Sequence, residues 1–286
     1  MLSSRTTRWC SGAATHLMRA GRPSVMARRD AAQRARLARA RPSTPSGDVQ
    51  GEQALARNAG RIFSVPLGRS AGMSQRTAFI DNEVAGALGH GVTQVVILGA
   101  GYDGRALRFG AGATRWFELD LAATQDDKRR RLAALGVATE HVTFVPLDLM
   151  SDKLAAALEV AGHDDEAPSL FVCEGLFAYL SLEAVAELCL TLRHLAATGS
   201  VLVSTYPVRP EAAGRRGQAR RVVMEQVFRL LGEPLRSEYF TGDPEKLMVV
   251  TGWRPVRSQR CLDAWLGPGA HLLALAAEPE PGATGA

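Results

Sequence analysis

Residues Gln94–Asp120, QVVILGAGYDGRALRFGAGATRWFELD, hold two apolar runs separated by a glycine turn and a short linking segment. Gln94–Leu98 runs apolar with little alternation and stops at Gly99-Ala100-Gly101. A strand covered by helices on both faces reads this way, so a buried parallel strand is predicted. Arg115–Asp120 predicts a second strand.

The same rhythm continues outward in both directions. Upstream, Arg76–Leu88 carries Phe79, Ile80, Val84 and Leu88 at helical spacing and ends at Gly89 and Gly91. Downstream, Gln125–Leu135 is a polar-faced helix, Val142–Leu147 a third strand ending at Asp148, and Ser151–Ala161 a helix. After the loop His163–Pro168, Ser169–Cys173 is a fourth strand that stops at Glu174-Gly175. Leu182–Ala196 is an amphipathic helix with Ser181 as N-cap and Gly199 beyond its end, and Ser200–Tyr206 is a fifth strand. Strands alternating with helices at this spacing give an α/β fold, a parallel sheet with helices on both faces. Arg209–Leu231 breaks the pattern with a loop and then a helix from about Gln218, as part of an insertion near 209–250 over the sheet's carboxyl edge. Trp253–Gln259 and His271–Ala276 complete seven strands, the final one antiparallel.

Length and composition suit a globular chain, with 286 residues, 46% hydrophobic and 22% charged. The formal net charge is +5, but its sources are uneven. Arg5, Arg8, Arg19, Arg22, Arg28, Arg29, Arg34, Arg36, Arg39 and Arg41 precede the expected fold, against Asp30 alone. Residues 1–50 are therefore expected to be a disordered basic extension, and 51–280 the folded domain, slightly acidic by itself. The Pro- and Ser-bearing stretch 41–51 reads as the linker. Nucleic acid is not expected as a partner, because the basic charge sits in the tail. No apolar run approaches the ~20 residues that span a bilayer, so no membrane is expected. Cys10, Cys173, Cys189 and Cys261 show no metal-ligand spacing, so no metal is expected. A reducing, cytoplasmic setting fits, while the Arg-rich start also has the composition of an organellar transit peptide.

In open α/β sheets ligands bind outside the carboxyl ends of the strands, and here those ends carry suggestive residues. Gly99 and Gly101 allow backbone to approach a ligand. Gly104 completes a formal G-x-G-x-x-G, which keeps a dinucleotide site open. Asp120 can accept from ribose hydroxyls, Asp148 from an adenine amino group with Leu149 on the ring, and Glu174 ends the fourth strand. Acids at three strand ends suit a cationic adenosine-bearing ligand and repel a pyrophosphate, which favours S-adenosyl-L-methionine over a nicotinamide dinucleotide. Plainer readings exist: a simple tight turn at Gly99–Gly101, and helix capping by Asp120 or Asp148. Lys128–Arg131 reads as a solvated helix face.

These segments resemble the motifs of the leucine carboxyl methyltransferase-like family. Gln94–Phe109 is similar to its first motif and Phe117–Leu132, FELDLAATQDDKRRRL, to its second. Val142–Leu149, VTFVPLDL, resembles the third, Cys173–Ser181, CEGLFAYLS, the fourth, and Arg76–Asp81 the helix ahead of the first strand. The resemblance implies a Rossmann-like class I fold and S-adenosyl-L-methionine as cofactor. It implies that Arg76 pairs with the methionyl carboxylate and that Gly99, Ala100 and Gly101 contact the amino-acid portion. Asp120 would hold the ribose, Asp148 and Leu149 the adenine, and Glu174 the ammonium or the site floor. The family's N-terminal S-R-T-A-like segment is only faintly echoed by Ser4–Thr7, and Gly104 departs from the usual Thr or Asp.

The implied activity is O-methylation of a small-molecule carboxylate or hydroxyl. A carboxylate is ionised at neutral pH and needs no base, only a cationic clamp such as Arg209, Arg215 or Arg216. A hydroxyl needs a base, for which Tyr206 and Glu174 are the placed candidates. The fourth strand is not followed by the Asp/Asn-Pro-Pro-Tyr/Phe of amino-group methylation. Two other readings stand beside this one: an NAD-dependent oxidoreductase and a non-catalytic Rossmann-like binding protein acting through the basic tail. Oligomeric state is not read from the sequence.

Overall fold

A computed structural model describes residues 21–40, 55, 71–110, 112–150, 152–207, 215–235, 244–263 and 267–277. Seven strands form one sheet in the order β3-β2-β1-β4-β5-β7-β6. They are β1 (Gln94–Leu98), β2 (Arg115–Asp120), β3 (Val142–Pro146), β4 (Ser169–Cys173), β5 (Val201–Pro207), β6 (Trp253–Asp263) and β7 (Gly267–Ala277). The first five pair in parallel, and β7 runs antiparallel to both β5 and β6. The chain turns back on itself at β1, whose next neighbour on one side is β2 and on the other β4.

Alternation along β1 builds two cores. Val95 and Ile97 pack with Trp116, Leu170, Val172 and the helix α2 (Ala71–Gly89), which contributes Phe79, Ile80 and Val84. Val96 and Leu98 face the other way, onto Phe117, Phe171 and the helix formed by Leu182–His194. That helix buries Val185, Leu188, Cys189 and Leu192, spaced to put one apolar stripe on the sheet. Ser181 caps it as expected, its Oγ accepting from Ala184 N at 3.3 Å. Each central strand is thus buried on both faces, which explains its unbroken apolar run.

Several boundaries move. The helix after β2, α4 (Ala122–Ala133), starts three residues before the expected Gln125, and the helix after β3, α5 (Leu154–Val160), starts at Leu154 and not Ser151. With α1 (Val25–Ala40) and the short α3 (Arg105–Phe109), the Leu182–His194 helix is α6. The 209–250 region holds two helices, α7 (Arg215–Leu230) and α8 (Pro244–Val250). The second packs on α6 and β6, with Met248 fully buried, and so belongs to the core.

The largest departure is α1. Residues 21–40 lie inside the expected disordered extension, yet α1 packs on α2. Ala31 and Ala35 are 2% and 1% exposed, Ala31 against Tyr102 and Leu132. Glu233, placed after α7, secures its first turn: the carboxylate accepts from Val25 N at 2.6 Å and from Met26 N at 3.3 Å. A carboxylate there complements the unpaired amides and positive end of the helix dipole.

Candidate cofactor site

A cavity of about 400 Å³ opens at the carboxyl ends of β1, β2, β3 and β4. The glycine turn after β1 forms its floor. Gly99 and Gly101 sit at φ +65° and +51°, left-handed conformations that L side chains rarely adopt. Close packing adds a second constraint. A Cβ on Gly101 would stand 2.7 Å from the Ala27 Cβ, and one on Gly99 3.2 Å from Leu176 Cδ1. Ala100 N donates to Leu119 O at 2.9 Å and carries the β1–β2 ladder into the turn. Gly104, by contrast, has φ −106°, open to any residue, and α3 beyond it is five residues long. The third glycine of the formal G-x-G-x-x-G has no conformational reason to be glycine.

The three strand-end acids all line this one cavity. Asp120 accepts from Gly101 N at 2.6 Å and from Leu121 N at 2.7 Å, which ties β2 to the glycine turn. Burial pushes its carboxyl up from the ordinary aspartate value, against the pull of those two amides. It is not a helix cap, since the N-cap of α4 is Leu121. Each carboxylate oxygen accepts about two hydrogen bonds, so Asp120 retains acceptor capacity toward a ligand. Asp148 accepts from Met150 N at 3.0 Å in a tight turn, and the N-cap of α5 is Lys153, so Asp148 caps no helix either. Leu149 lines the cavity beside it and packs on the sheet's core.

Glu174 is the most heavily supported of the three. Oε1 accepts from Arg76 Nε at 2.7 Å, Oε2 accepts from Arg105 Nη1 at 2.5 Å, and Arg34 Nη1 lies 3.7 Å away. Burial opposes ionisation, but the guanidinium groups of Arg105, Arg76 and Arg34 outweigh it and hold the carboxyl far below the usual glutamate range. Glu174 is therefore held as an anion and is a poor proton acceptor, which counts against a role as general base. Arg76 stands behind the cavity wall, with Nη2 on Asp30 Oδ2 at 3.0 Å as well as Nε on Glu174.

Tyr206 is also corrected. It is fully buried in the core, tilted against Phe177 at 4.8 Å, and its hydroxyl donates to Met248 Sδ at 2.8 Å. Burial pushes the phenol far above its ordinary value, and it does not line the cavity, so it is no base for a bound acceptor. Arg209 lies outside the described residues; Arg215 and Arg216 fall in the first turn of α7.

Sequence reading missed a whole wall. Met26, Ala27, Asp30 and Arg34 of α1 line the cavity, as does Arg22 just ahead of it. The signal was the four-residue spacing Ala27, Ala31, Ala35, a small-residue stripe for close packing hidden among arginines. Arg29 and Arg34 are 5% and 6% exposed, so this part of the basic segment is built into the fold and is not a displayed arm. Lys128, expected on a solvated face, is buried and pairs with Glu118 while donating to Asp103 O at 2.6 Å. Arg131 of the same run does pair at the surface of α4, with Asp127 at 2.7 Å. Among the described residues no group of His, Cys, Asp and Glu could hold a metal ion.

The model of the family described as leucine carboxyl methyltransferase matches residues 19–193, starting ahead of α1 and ending in α6. This chain belongs to the leucine carboxyl methyltransferase family. A relative from Mycolicibacterium vanbaalenii, named as an S-adenosyl-L-methionine-dependent methyltransferase, is 42% identical over 137 residues, 47% of this chain and 45% of its own. One from Mycolicibacterium gilvum with the same name is 34% identical over 218 residues, 73% of this chain and 66% of its own. The chain thus spans about half the length of the first relative and two thirds of the second. Among solved structures, magnesium protoporphyrin IX methyltransferase from Synechocystis PCC 6803 with bound SAH shares the fold. Its TM-score is 0.50 at 14% identity, covering 80% of this chain and 94% of that one.

Proposed function

We propose that this chain is an S-adenosyl-L-methionine-dependent methyltransferase acting on oxygen of a small molecule, a carboxylate in preference to a hydroxyl. One observation carries the reading: Asp120, Asp148 and Glu174, from three different strands, line a single cavity around a glycine turn. That donor set fits a cationic nucleoside and disfavours a pyrophosphate, which three carboxylates would repel. The turn itself leaves no room for a Cβ at Gly101, because Ala27 of α1 packs directly against it and closes the cavity on that side.

Within this reading Asp120 accepts from the ribose hydroxyls, Asp148 takes the adenine amino group, and Leu149 lies against the ring. The backbone of Gly99, Ala100 and Gly101 meets the amino-acid portion. Glu174 takes the ammonium. Arg76 acts at that end with Nε and Nη2 on Glu174 and Asp30, holding both carboxylates in place. Bound there, S-adenosyl-L-methionine supplies an electrophilic methyl group on a cationic sulfur. In-line transfer depends mainly on how the acceptor is positioned, so rigid walls contribute much of the acceleration.

The preference for a carboxylate follows from the two displaced bases. Tyr206 is sealed in the core and Glu174 is held ionised, while a carboxylate acceptor is already deprotonated. Arg22, exposed and lining the cavity, supports a cationic contact for that acceptor.

Incubating the protein with methyl-labelled cofactor and a metabolite extract tests the reading. Base-labile label on a small molecule is expected, the mark of an ester; base-stable label would shift the acceptor to a hydroxyl. Absence of transfer together with absence of S-adenosylhomocysteine binding would overturn the proposal.

A further inference from the structure

Arg105 is fully buried on α3 and does not line the cavity, yet it holds two carboxylates that do. Its Nη1 donates to Asp103 Oδ2 and to Glu174 Oε2, each at 2.5 Å. On its other side Nε donates to Asp81 Oδ1 of α2 at 2.7 Å. Asp81 is itself held by Arg108, through Nη1 at 2.7 Å and Nη2 at 2.9 Å. The result is a ladder of charges running from α2 through α3 to the rim of the cavity.

Burying so many ions for fold stability alone is a poor bargain, since desolvation opposes the Coulomb gain and apolar packing does as well. A ladder whose last rung is a ligand-facing carboxylate has a second use. We infer that Arg105 is the positioning residue for the amino-acid end of the cofactor, fixing Glu174 and Asp103 as ionised acceptors without touching the ligand. The inference rests on the function proposed above. The planar guanidinium is what makes this possible: it spans Asp81 on one edge and two cavity carboxylates on another, which the single nitrogen of a lysine cannot do.

The charged groups facing Glu174 are Arg34 and Asp30 from α1, Arg76 from α2, Asp103 from the glycine turn and Arg105 from α3. With all three guanidinium groups in contact, Glu174 is held toward its ionised form. Arg105→Lys keeps one positive charge beside Asp81 and Asp103 but leaves Glu174 Oε2 without its donor. Loss of a contacting guanidinium donor raises a carboxyl by roughly 1–3 pH units, which brings Glu174 back toward the ordinary glutamate range. The proton then competes with the ligand ammonium at acid pH.

The test is calorimetry of S-adenosylhomocysteine from pH 4 to pH 8 on the wild type, Arg105→Lys, and Arg105→Lys combined with Glu174→Gln. The wild type sets the reference profile, which includes the contribution of Asp120, whose carboxyl burial raises. Relative to it, Arg105→Lys should lose about a further twofold in affinity at pH 4 against pH 8, and the double variant, lacking the Glu174 carboxyl, should be weak and run parallel to the wild type. Should Arg105→Lys not fold, Asp81→Asn loosens the same anchor from the far side and should show a smaller slope of the same sign. A folded Arg105→Lys with wild-type affinity and the wild-type pH profile overturns the inference alone, leaving Arg105 a cross-link of the fold. Wild-type protein that binds no S-adenosylhomocysteine at any pH overturns the functional reading and this inference with it.

Discussion

The two rims of the sheet are built from different chemistry. At the amino ends of the strands, Gln94 is fully buried and saturated by hydrogen bonds. Its Nε2 donates to Asp164 O at 2.7 Å, and its Oε1 accepts from Asp164 N at 2.9 Å and Arg115 Nη2 at 2.6 Å. Arg115 Nη1 closes onto Gly162 O at 2.7 Å, and Ser200 Oγ accepts from Ser169 N at 3.0 Å. Most of these bonds tie side chains to backbone. At the carboxyl ends, ionised acids and guanidinium groups surround an open space. A rim that only closes the fold needs satisfied amides; a rim that meets a charged ligand keeps ions in readiness, at a cost in desolvation.

Breaking the carboxyl rim should have the largest effect. Asp120→Ala removes an ionised acceptor and frees the amides of Gly101 and Leu121, so S-adenosylhomocysteine affinity should fall about 100-fold or more by calorimetry, given ~1.5–3 kcal/mol per charged hydrogen bond. Next comes Gly101→Ala, which forces a left-handed alanine against Ala27. It should cost about 1–2 kcal/mol from backbone strain, read as a lower denaturation midpoint, and should loosen α1 from the turn.

Breaking the amino rim should separate stability from binding. Gln94→Leu removes the partner of the Asp164 backbone groups and of Arg115 Nη2 and should destabilise by about 1–3 kcal/mol, with ligand affinity unchanged within about twofold. If affinity drops as far as stability, the two rims are not functionally distinct.

The smallest effect is a difference in acid behaviour. Burial lowers the pKa of His163 at the amino rim below its ordinary 6.5. A histidine depressed in the folded state favours folding above 6.5, and that contribution fades as pH falls below it. Glu174 is depressed below 4.5, so its contribution is complete above that value and is lost as pH falls toward the folded pKa. In urea titrations, His163→Gln should flatten the stability curve just below pH 6.5, and Glu174→Gln only below about 4.5.

How far the sequence reveals these rims depends on the range of the interactions involved. β1 and β4 are legible to the residue, because double-sided burial writes an uninterrupted apolar run, and β2 is legible to its ends although Glu118 interrupts its apolar positions. Gly99–Gly101, Asp120, Asp148 and Glu174 were legible as strand-end residues, since the topology brings parallel strand ends to one edge. Arg105 lies within the first motif, but its role is not legible there, because its partners Asp81 and Glu174 lie 24 and 69 positions away. The helix α1 is hidden for a related reason: its arginines dominate the composition, and the partners of the buried Arg34, the Glu174 carboxylate and the Tyr102 carbonyl, lie far along the chain. Tyr206 was misjudged because a strand-end tyrosine looks the same whether it faces a cavity or, as here, Met248.

The account stands or falls on whether the three strand-end carboxylates hold an adenosine-bearing cofactor. Side-by-side calorimetric titration of S-adenosylhomocysteine and NAD into the wild-type protein tests this most directly. Saturable binding of the former with none of the latter is predicted. Binding of NAD in its place, or of neither, would contradict it.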